Sequence, residues 1–286
     1  MMTINRKKSN GIFSKSILQI ILIMWAFIQI GPFLWLFYSS FKTSVDIKTN
    51  PLGFPKSFYL GNYDFPLFRE TSGIDISIYF KNSLIVTLIS LIILTAVSLL
   101  AGYATAKIRF PGKNIFIFFL IALLGIPVHS LIIPLYYLIG KMGLLSNYFG
   151  LVFPYVAFNF AFSTLLAQTY FRQFPDEIID AAKIDGCGQL RLFFSVVMPI
   201  SLGAVATILV INYINIWNEF LFSLVIMRNN VAKTLPVGLM SFRGERTVDW
   251  GPMFAVISIS ILPSVLFYLI FSRNLIKGMT AGAIKG

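Results

Sequence analysis

Charge is scarce in this sequence: Asp, Glu, Lys and Arg make up 12% of its 286 residues, where a soluble domain carries roughly a quarter. That scarcity excludes a soluble enzyme. One Cys and one His exclude a disulfide framework and any zinc site of the usual three- or four-ligand kind. A phosphate-cradling GxxxxGK[ST] element is also missing. Lys113 and Lys141 follow Gly112 and Gly140, but neither has the upstream Gly or the Ser/Thr that would hold phosphate and Mg²⁺, so the chain does not hydrolyse ATP by itself. The apolar stretches lack the paired carboxylates or Asp/Glu/His relay of a proton-coupled pump. His129 follows Pro127 in an apolar run with no acid or thiol nearby, so it carries no catalytic triad and is expected to pack between helices with one hydrogen bond. No internal repeat, low-complexity tract or linker is seen, and residues 1–286 read as a single membrane domain.

What is present is apolar: 57% of the residues are hydrophobic. Six stretches free of Asp, Glu, Lys and Arg run over 16–41, 82–106, 114–140, 142–171, 192–218 and 250–272. Each exceeds the length that a helix needs to cross a hydrocarbon core, about 20 residues. The first follows Arg6, Lys7, Lys8 and Lys15 but is too long for a signal peptide and is followed by no small-residue cleavage site, so it reads as an uncleaved span. The expectation is an all-α, polytopic membrane protein with six transmembrane helices. The net charge of +12 is not gathered into a basic, aromatic-interleaved face for nucleic acid; it reads as cationic loops beside anionic lipid.

Orientation follows from the short loops. Lys107, Arg109 and Lys113 lie between the second and third spans, whereas only Lys141 lies between the third and fourth. Basic residues are retained on the cytoplasmic side, so the former loop is inside and the latter outside. Six spans then place both termini and the segment from Arg172 to Arg191 inside, and Lys42 to Lys81 and Arg228 to Asp249 outside. The first external segment mixes Pro51, Pro55, Pro66 and Gly53 with Phe54, Phe58, Tyr59, Tyr63 and Phe65, a loop with aromatic anchors for the interface.

The cytoplasmic segment 173–195 is far richer in charge than its surroundings. Pro175, Asp176 and Glu177 make a helix start, with a fixed φ and acids at the positive end of the dipole, and Gly186 and Gly188 are stop signals. Asp176, Asp180 and Lys183 share one side, while Ile178, Ile179 and Ala182 lie on another. The spacing predicts a short amphipathic helix whose Ala181, Ala182 and Gly186 leave surface nearly flush for a partner. Resting on lipid is the alternative.

This loop resembles the signature of integral-membrane subunits of binding-protein-dependent ABC importers: EAA, three residues, Gly, nine residues, then I-x-L-P. Here Asp180-Ala181-Ala182 is followed by Lys183, Ile184 and Asp185, then Gly186, and nine residues later by Val196-Val197-Met198-Pro199. The departures, Asp for Glu, Val for Ile and Met for Leu, keep charge sign or apolarity. The likeness extends to the carbohydrate-uptake branch, of the maltose-importer kind. It is carried by Tyr79-Phe80-Lys81-Asn82-Ser83-Leu84, Leu100-Ala101-Gly102-Tyr103-Ala104, Phe110-Pro111-Gly112-Lys113, Ile133-Pro134-Leu135-Tyr136 and Gly143-Leu144-Leu145. Trp217-Asn218-Glu219-Phe220, Thr234-Leu235-Pro236-Val237-Gly238 and the terminal Gly278 to Gly286 continue it.

The resemblance implies a type I ABC importer permease fold in a bacterial cell membrane. It also implies a heterodimer with a second, related permease subunit, two ATP-binding subunits below that hold ATP and Mg²⁺, and an extracytoplasmic sugar-binding protein above. The chain itself would need no cofactor. Asp180, Ala181, Ala182, Lys183, Asp185, Gly186 and Pro199 would belong to the loop that couples the pathway to the ATPase.

Asn212, Asn215, Asn218 and Glu219 recur at i, i+3, i+6 and i+7 through the fifth apolar stretch, beside Tyr213 and Trp217. Polar groups at membrane depth face a cavity or another helix. Amides, a carboxylate and an aromatic ring are groups that bind sugar hydroxyls and ring faces, so the stripe faces a translocation pathway or makes hydrogen bonds at the seam between two permease subunits. Pro127 and Pro134 either kink a pore-lining helix or shape packing. The expected function is therefore the transmembrane subunit of an ATP-driven sugar importer; a self-sufficient secondary transporter or channel is the alternative.

Overall fold

In a computed structural model of the chain, the backbone is described for residues 6–64, 75–229, 232–242 and 248–283. Side chains are described over 15–64, 75–229, 232–242 and 248–273. Phe65 and Pro66 of the loop expected outside, and the side chains of the terminal glycine-rich segment, lie outside the described residues. The helices in chain order are α1 (Arg6–Ser39), α2 (Ser44–Thr49), α3 (Ile76–Lys107), α4 (Lys113–Leu124), α5 (Ile132–Lys141) and α6 (Phe149–Arg172). They continue with α7 (Asp176–Ile184), α8 (Gln189–Leu192), α9 (Met198–Ile200), α10 (Leu202–Trp217), α11 (Leu221–Ile226), α12 (Leu235–Gly238) and α13 (Trp250–Ala283). No strand occurs among the described residues.

Four helices are each long and apolar enough to cross a membrane: Lys15–Ser39 within α1, all of α3, all of α6, and Trp250–Arg273 within α13. Two further apolar stretches are bent pairs, which bring the number of spans to six when each pair counts as one crossing. The expected third span breaks by 91° between α4 and the segment Val128–Lys141. Gly125 closes α4, and Pro127, lacking an N–H, starts a 3₁₀ turn over Val128–Leu131. α4 has 12 residues, about 18 Å at the helical rise, so it is too short to cross alone. Pro134 does not kink anything. It sits in the first turn of α5, where a missing N–H would have had no partner in any case. His129 is exposed and stacks on Phe222 with centroids 5.9 Å apart, rather than packing inside a helix seam.

The expected fifth span also breaks, by 78°, between Gln189–Ile200 and α10. A π turn over Phe193–Val197 precedes Pro199, and Ser201 interrupts the ladder before α10 begins. A widened turn next to a proline is a recognised cause of helix bending, because the ring removes one donor and crowds the preceding turn.

The chain forms two compact units. One comprises residues 1–67 and 242–259. Its α1 is apolar on all sides and exposed along the span. Beyond α1, Lys42 is fully buried and donates through Nζ to the Asn50 carbonyl at 2.9 Å, while Asn62 Nδ2 donates to the carbonyls of Ser40 and Lys42 at 2.7 Å each. These bonds satisfy the backbone where α1 ends. Phe54, Phe58 and Tyr59 stand exposed.

The other unit comprises residues 68–241 and 260–286. Its centre is the long contact between α3 and α6. At Gly102 a Cβ would stand 2.5 Å from the Ala167 Cβ and 3.0 Å from the Gln168 nitrogen, so only glycine allows the two backbones so close. Ser83, Thr87, Ser90, Ser98 and Thr105 are buried on α3. At the end opposite the α7 loop, two stretches distant in sequence meet. Asn82 Nδ2 donates to the Lys233 carbonyl at 2.8 Å and its Oδ1 accepts from Tyr148 Oη at 2.7 Å, while Ser83 Oγ accepts from the Leu235 N–H at 2.8 Å. A Cβ on Gly238 would stand 2.2 Å from the Tyr79 ring. The Tyr79–Leu84 and Thr234–Gly238 motifs are thus one joint.

Candidate functional site

α7 begins after Pro175, which holds φ −59° and ψ 130°, with Asp176 and Glu177 in its first turn. It ends as the glycine signal expects. Gly186 has φ +78°, its N–H donates to the Lys183 carbonyl at 3.0 Å, and the Cys187 N–H donates to the Ala182 carbonyl at 3.0 Å. This pair of bonds is the Schellman arrangement, which satisfies two carbonyls that the helix leaves open. A Cβ at Gly186 would meet nothing within 4 Å, so the left-handed backbone, and not crowding inside the chain, requires glycine there. Gly188 plays a different part from the expected stop: its φ is −67° and it opens α8.

The amphipathic reading is realised in part: Ile178, expected on the apolar side with Ile179 and Ala182, is exposed, since adjacent residues are turned by about 100° around a helix. Ile179 and Ala182 are buried in a cluster with Leu99 and Tyr103 of α3, Phe171 of α6, and Phe174, Leu192, Phe193 and Val197 of the loop. Ala182 lies three residues after Ile179, on the same side of the helix, so it faces inward and is not part of a flush outer surface. Asp180, Ala181, Lys183, Asp185 and Gly186 are exposed, and Lys183 Nζ reaches Asp180 Oδ1 at 3.0 Å. Pro199 is exposed at the bend before α10. Ile184, with 86% of its surface open at the end of α7, and Leu190, with 70% open, are apolar groups that the sequence pattern alone does not single out.

A cation missed by sequence reasoning fixes the start of this helix. Lys107 Nζ donates to the Phe174 carbonyl at 2.6 Å and to Asp176 Oδ1 at 2.6 Å. The hydrogen bond from Lys107, and then its charge, hold the Asp176 carboxyl below the usual carboxylate range; desolvation opposes them and the charge of Lys183 adds a lesser lowering. In the sequence Lys107 reads only as one of several basic loop residues. Nothing in the local pattern ties it to an acid 69 positions away.

The polar stripe is divided by the fold. Asn212 is fully buried and donates to Ser163 Oγ at 2.9 Å and to the Ile208 carbonyl at 2.7 Å, tying α10 to α6. Trp217 is buried too: its Nε1 donates to the Ser260 carbonyl at 3.2 Å, and its ring stacks on Tyr213, which in turn stacks on Phe267 at 4.1 Å. Glu219 Oε2 accepts from Tyr155 Oη at 2.5 Å, and the carboxylate also accepts from the N–H groups of Phe222 and Ser223, which it caps at the start of α11. Asn215 and Asn218 are exposed, the latter donating back to the Ile214 carbonyl at 2.8 Å. Tyr155, Ser163 and Ser260 are the partners that sequence spacing did not name, because each lies on another helix.

The family described as "Binding-protein-dependent transport system inner membrane component" matches residues 95–280. The chain is 36% identical over 267 residues, covering 92% of itself and 94% of the relative, to the trehalose/maltose transport system permease protein MalG of Thermococcus litoralis. It is 30% identical to the diacetylchitobiose uptake system permease protein NgcG of Streptomyces coelicolor, over 93% of this chain and 87% of that one. Its fold is similar to a chain in the crystal structure of a bacterial ABC transporter involved in the import of the acidic polysaccharide alginate, with TM-score 0.78 and 20% identity, covering 96% of this chain and 99% of that one. The broken spans, the capped loop helix and the match across residues 95–280 converge: this chain belongs to the family of inner-membrane components of binding-protein-dependent transport systems, as a multi-pass permease subunit.

Proposed function

We propose that the chain is half of the membrane pathway of an ATP-driven importer for a sugar or oligosaccharide. In this reading it pairs with a second, related permease subunit, two separate ATPase subunits supply the energy, and an extracytoplasmic binding protein delivers the sugar. Both termini and α7 lie in the cytoplasm. The observation that carries the reading is α7 itself. It is anchored on its inner face by Ile179 and Ala182, capped at Gly186, and presents Asp180, Ala181, Lys183, Ile184 and Asp185 outward. A short helix held so firmly on one side and so open on the other suits docking into a groove of the ATPase. Support for a sugar comes from relatives whose names give trehalose/maltose, diacetylchitobiose and arabinooligosaccharides.

Within this reading, Asn215 and Asn218 are the stripe residues free to meet a pathway or the partner permease. Asn212, Trp217 and Glu219 hold the surrounding helices in place. The experiment is purification of the tagged chain from its native membrane, followed by reconstitution in proteoliposomes. Co-purification of a second permease and an ATPase, with uptake of one of these sugars that requires both ATP and binding protein, is the expected result. Sugar uptake by the chain alone, driven by an ion gradient, would refute it.

A further inference from the structure

Leu99, Tyr103 and Lys107 follow one another at i, i+4 and i+8, and so share one side of the last turns of α3. All three touch the loop. Leu99 and Tyr103 belong to the apolar cluster that receives Ile179 and Ala182. Lys107 brackets the start of α7, holding the Phe174 carbonyl just ahead of Pro175 and the carboxylate of Asp176 just after it, each at 2.6 Å. Its side chain is only 9% exposed, although it ends a helix at the edge of the bundle. The cation also lies where the negative end of the α3 dipole favours it.

The apolar contacts and the lysine differ in what they can transmit. Hydrophobic burial is non-directional, so a cluster of this kind tolerates sliding of one helix over another. A charge-assisted pair of hydrogen bonds to a backbone carbonyl and a carboxylate fixes both distance and direction. α7 is joined through the chain to α6 and, by way of the bent segment, to α10, but it has no covalent path to α3 except through the whole of the intervening bundle.

We propose that Lys107 is a positioning residue that makes α7 and the end of α3 move as one body, so that displacement of the loop helix by the ATPase is delivered to the second span. The inference rests on the reading that α7 is the ATPase contact. Lys107 then acts through Phe174 and Asp176 and touches neither ATPase nor sugar.

The test uses the complete importer in proteoliposomes, with Lys107→Met, Lys107→Arg and Asp176→Asn. Expected for Lys107→Met is an assembled complex that still turns over ATP, with sugar taken up per ATP reduced about tenfold and the sugar concentration for half-maximal uptake unchanged. Lys107→Arg keeps two forked donors and should restore most of the loss. Asp176→Asn alters an exposed side chain, so it keeps the inference testable if the methionine variant does not fold, and it should give a smaller loss of the same kind. In a Cys187→Ser background, Ile184→Cys joined to the ATPase by a thiol-to-amine cross-linker reports on α7 docking separately. Absence of that cross-link in the otherwise unaltered complex overturns the docking reading. A retained cross-link with unchanged uptake per ATP in Lys107→Met, or in Asp176→Asn where methionine does not fold, overturns the role of Lys107 alone. Equal losses in the arginine and methionine variants also overturn it, because the charge would then be immaterial.

Discussion

Replacing Gly186 by alanine and, separately, by asparagine distinguishes backbone conformation from bulk at the end of α7. The residue sits at φ +78° with open space where a Cβ would point. An L-residue in that region costs about 1–2 kcal/mol, and asparagine tolerates it better than alanine does. α7 has nine residues, below the ~12–15 at which an isolated helix becomes even marginally stable in water. Its last turn therefore depends on the two bonds that the glycine permits, to the carbonyls of Lys183 and Ala182. A penalty of about 1–2 kcal/mol shifts the ratio of capped to frayed ends by roughly 5- to 30-fold. ATP-dependent uptake should fall in Gly186→Ala and fall less in Gly186→Asn, and hydrogen exchange at the amides of residues 186 and 187 should accelerate in the same order. If asparagine, the larger residue, impairs uptake more than alanine does while those amides remain protected, bulk against a partner governs this position and the backbone argument is wrong.

Three further outcomes are expected. Gly102→Ala should lower the thermal midpoint of the purified protein by the equivalent of about 1–3 kcal/mol, because its Cβ would stand 2.5 Å from that of Ala167; an unchanged midpoint in a thermal-shift assay would refute the close packing of α3 on α6. Uptake should show no titration of the Asp176 carboxylate between pH 5.5 and 8. The Asp176 pKa is depressed in the folded protein, so its contribution is present above the unfolded value of about 3.9 and is lost only as pH falls through the lower folded value. A step in uptake within that window that disappears in Asp176→Asn would contradict this. In a Cys187→Ser background, Asn215→Cys should react with a small polar thiol reagent or cross-link to the partner permease, whereas reaction only with lipid-soluble probes would place α10 wrongly.

Much of the fold is legible in composition because the bilayer imposes a crude rule. Uncharged runs such as 82–106 must become helices, since backbone groups in hydrocarbon have no other partners, and α3 and α6 appear where those runs lie. The breaks at Pro127 and Pro199 are visible as residues but not as geometry. Proline states that a donor is missing, whereas whether a helix kinks, bends by 91° or simply begins there depends on the neighbours, and Pro134 does only the last.

The candidate site divides along the same line. The start at Pro175 and the stop at Gly186 follow from local backbone chemistry, which acts over a few residues and is written in order along the chain, whereas periodicity groups the exposed Ile178 with the inward Ile179 and Ala182 and leaves Ala182 on both faces. The inward turn of Asn212 and Trp217, the use of Glu219 as a cap, and the reach of Lys107 to Asp176 were decided by tertiary structure alone. Spacing along one helix says which side a group occupies, but only the packing of other helices says whether that side meets a serine, a carbonyl, an acid or open space.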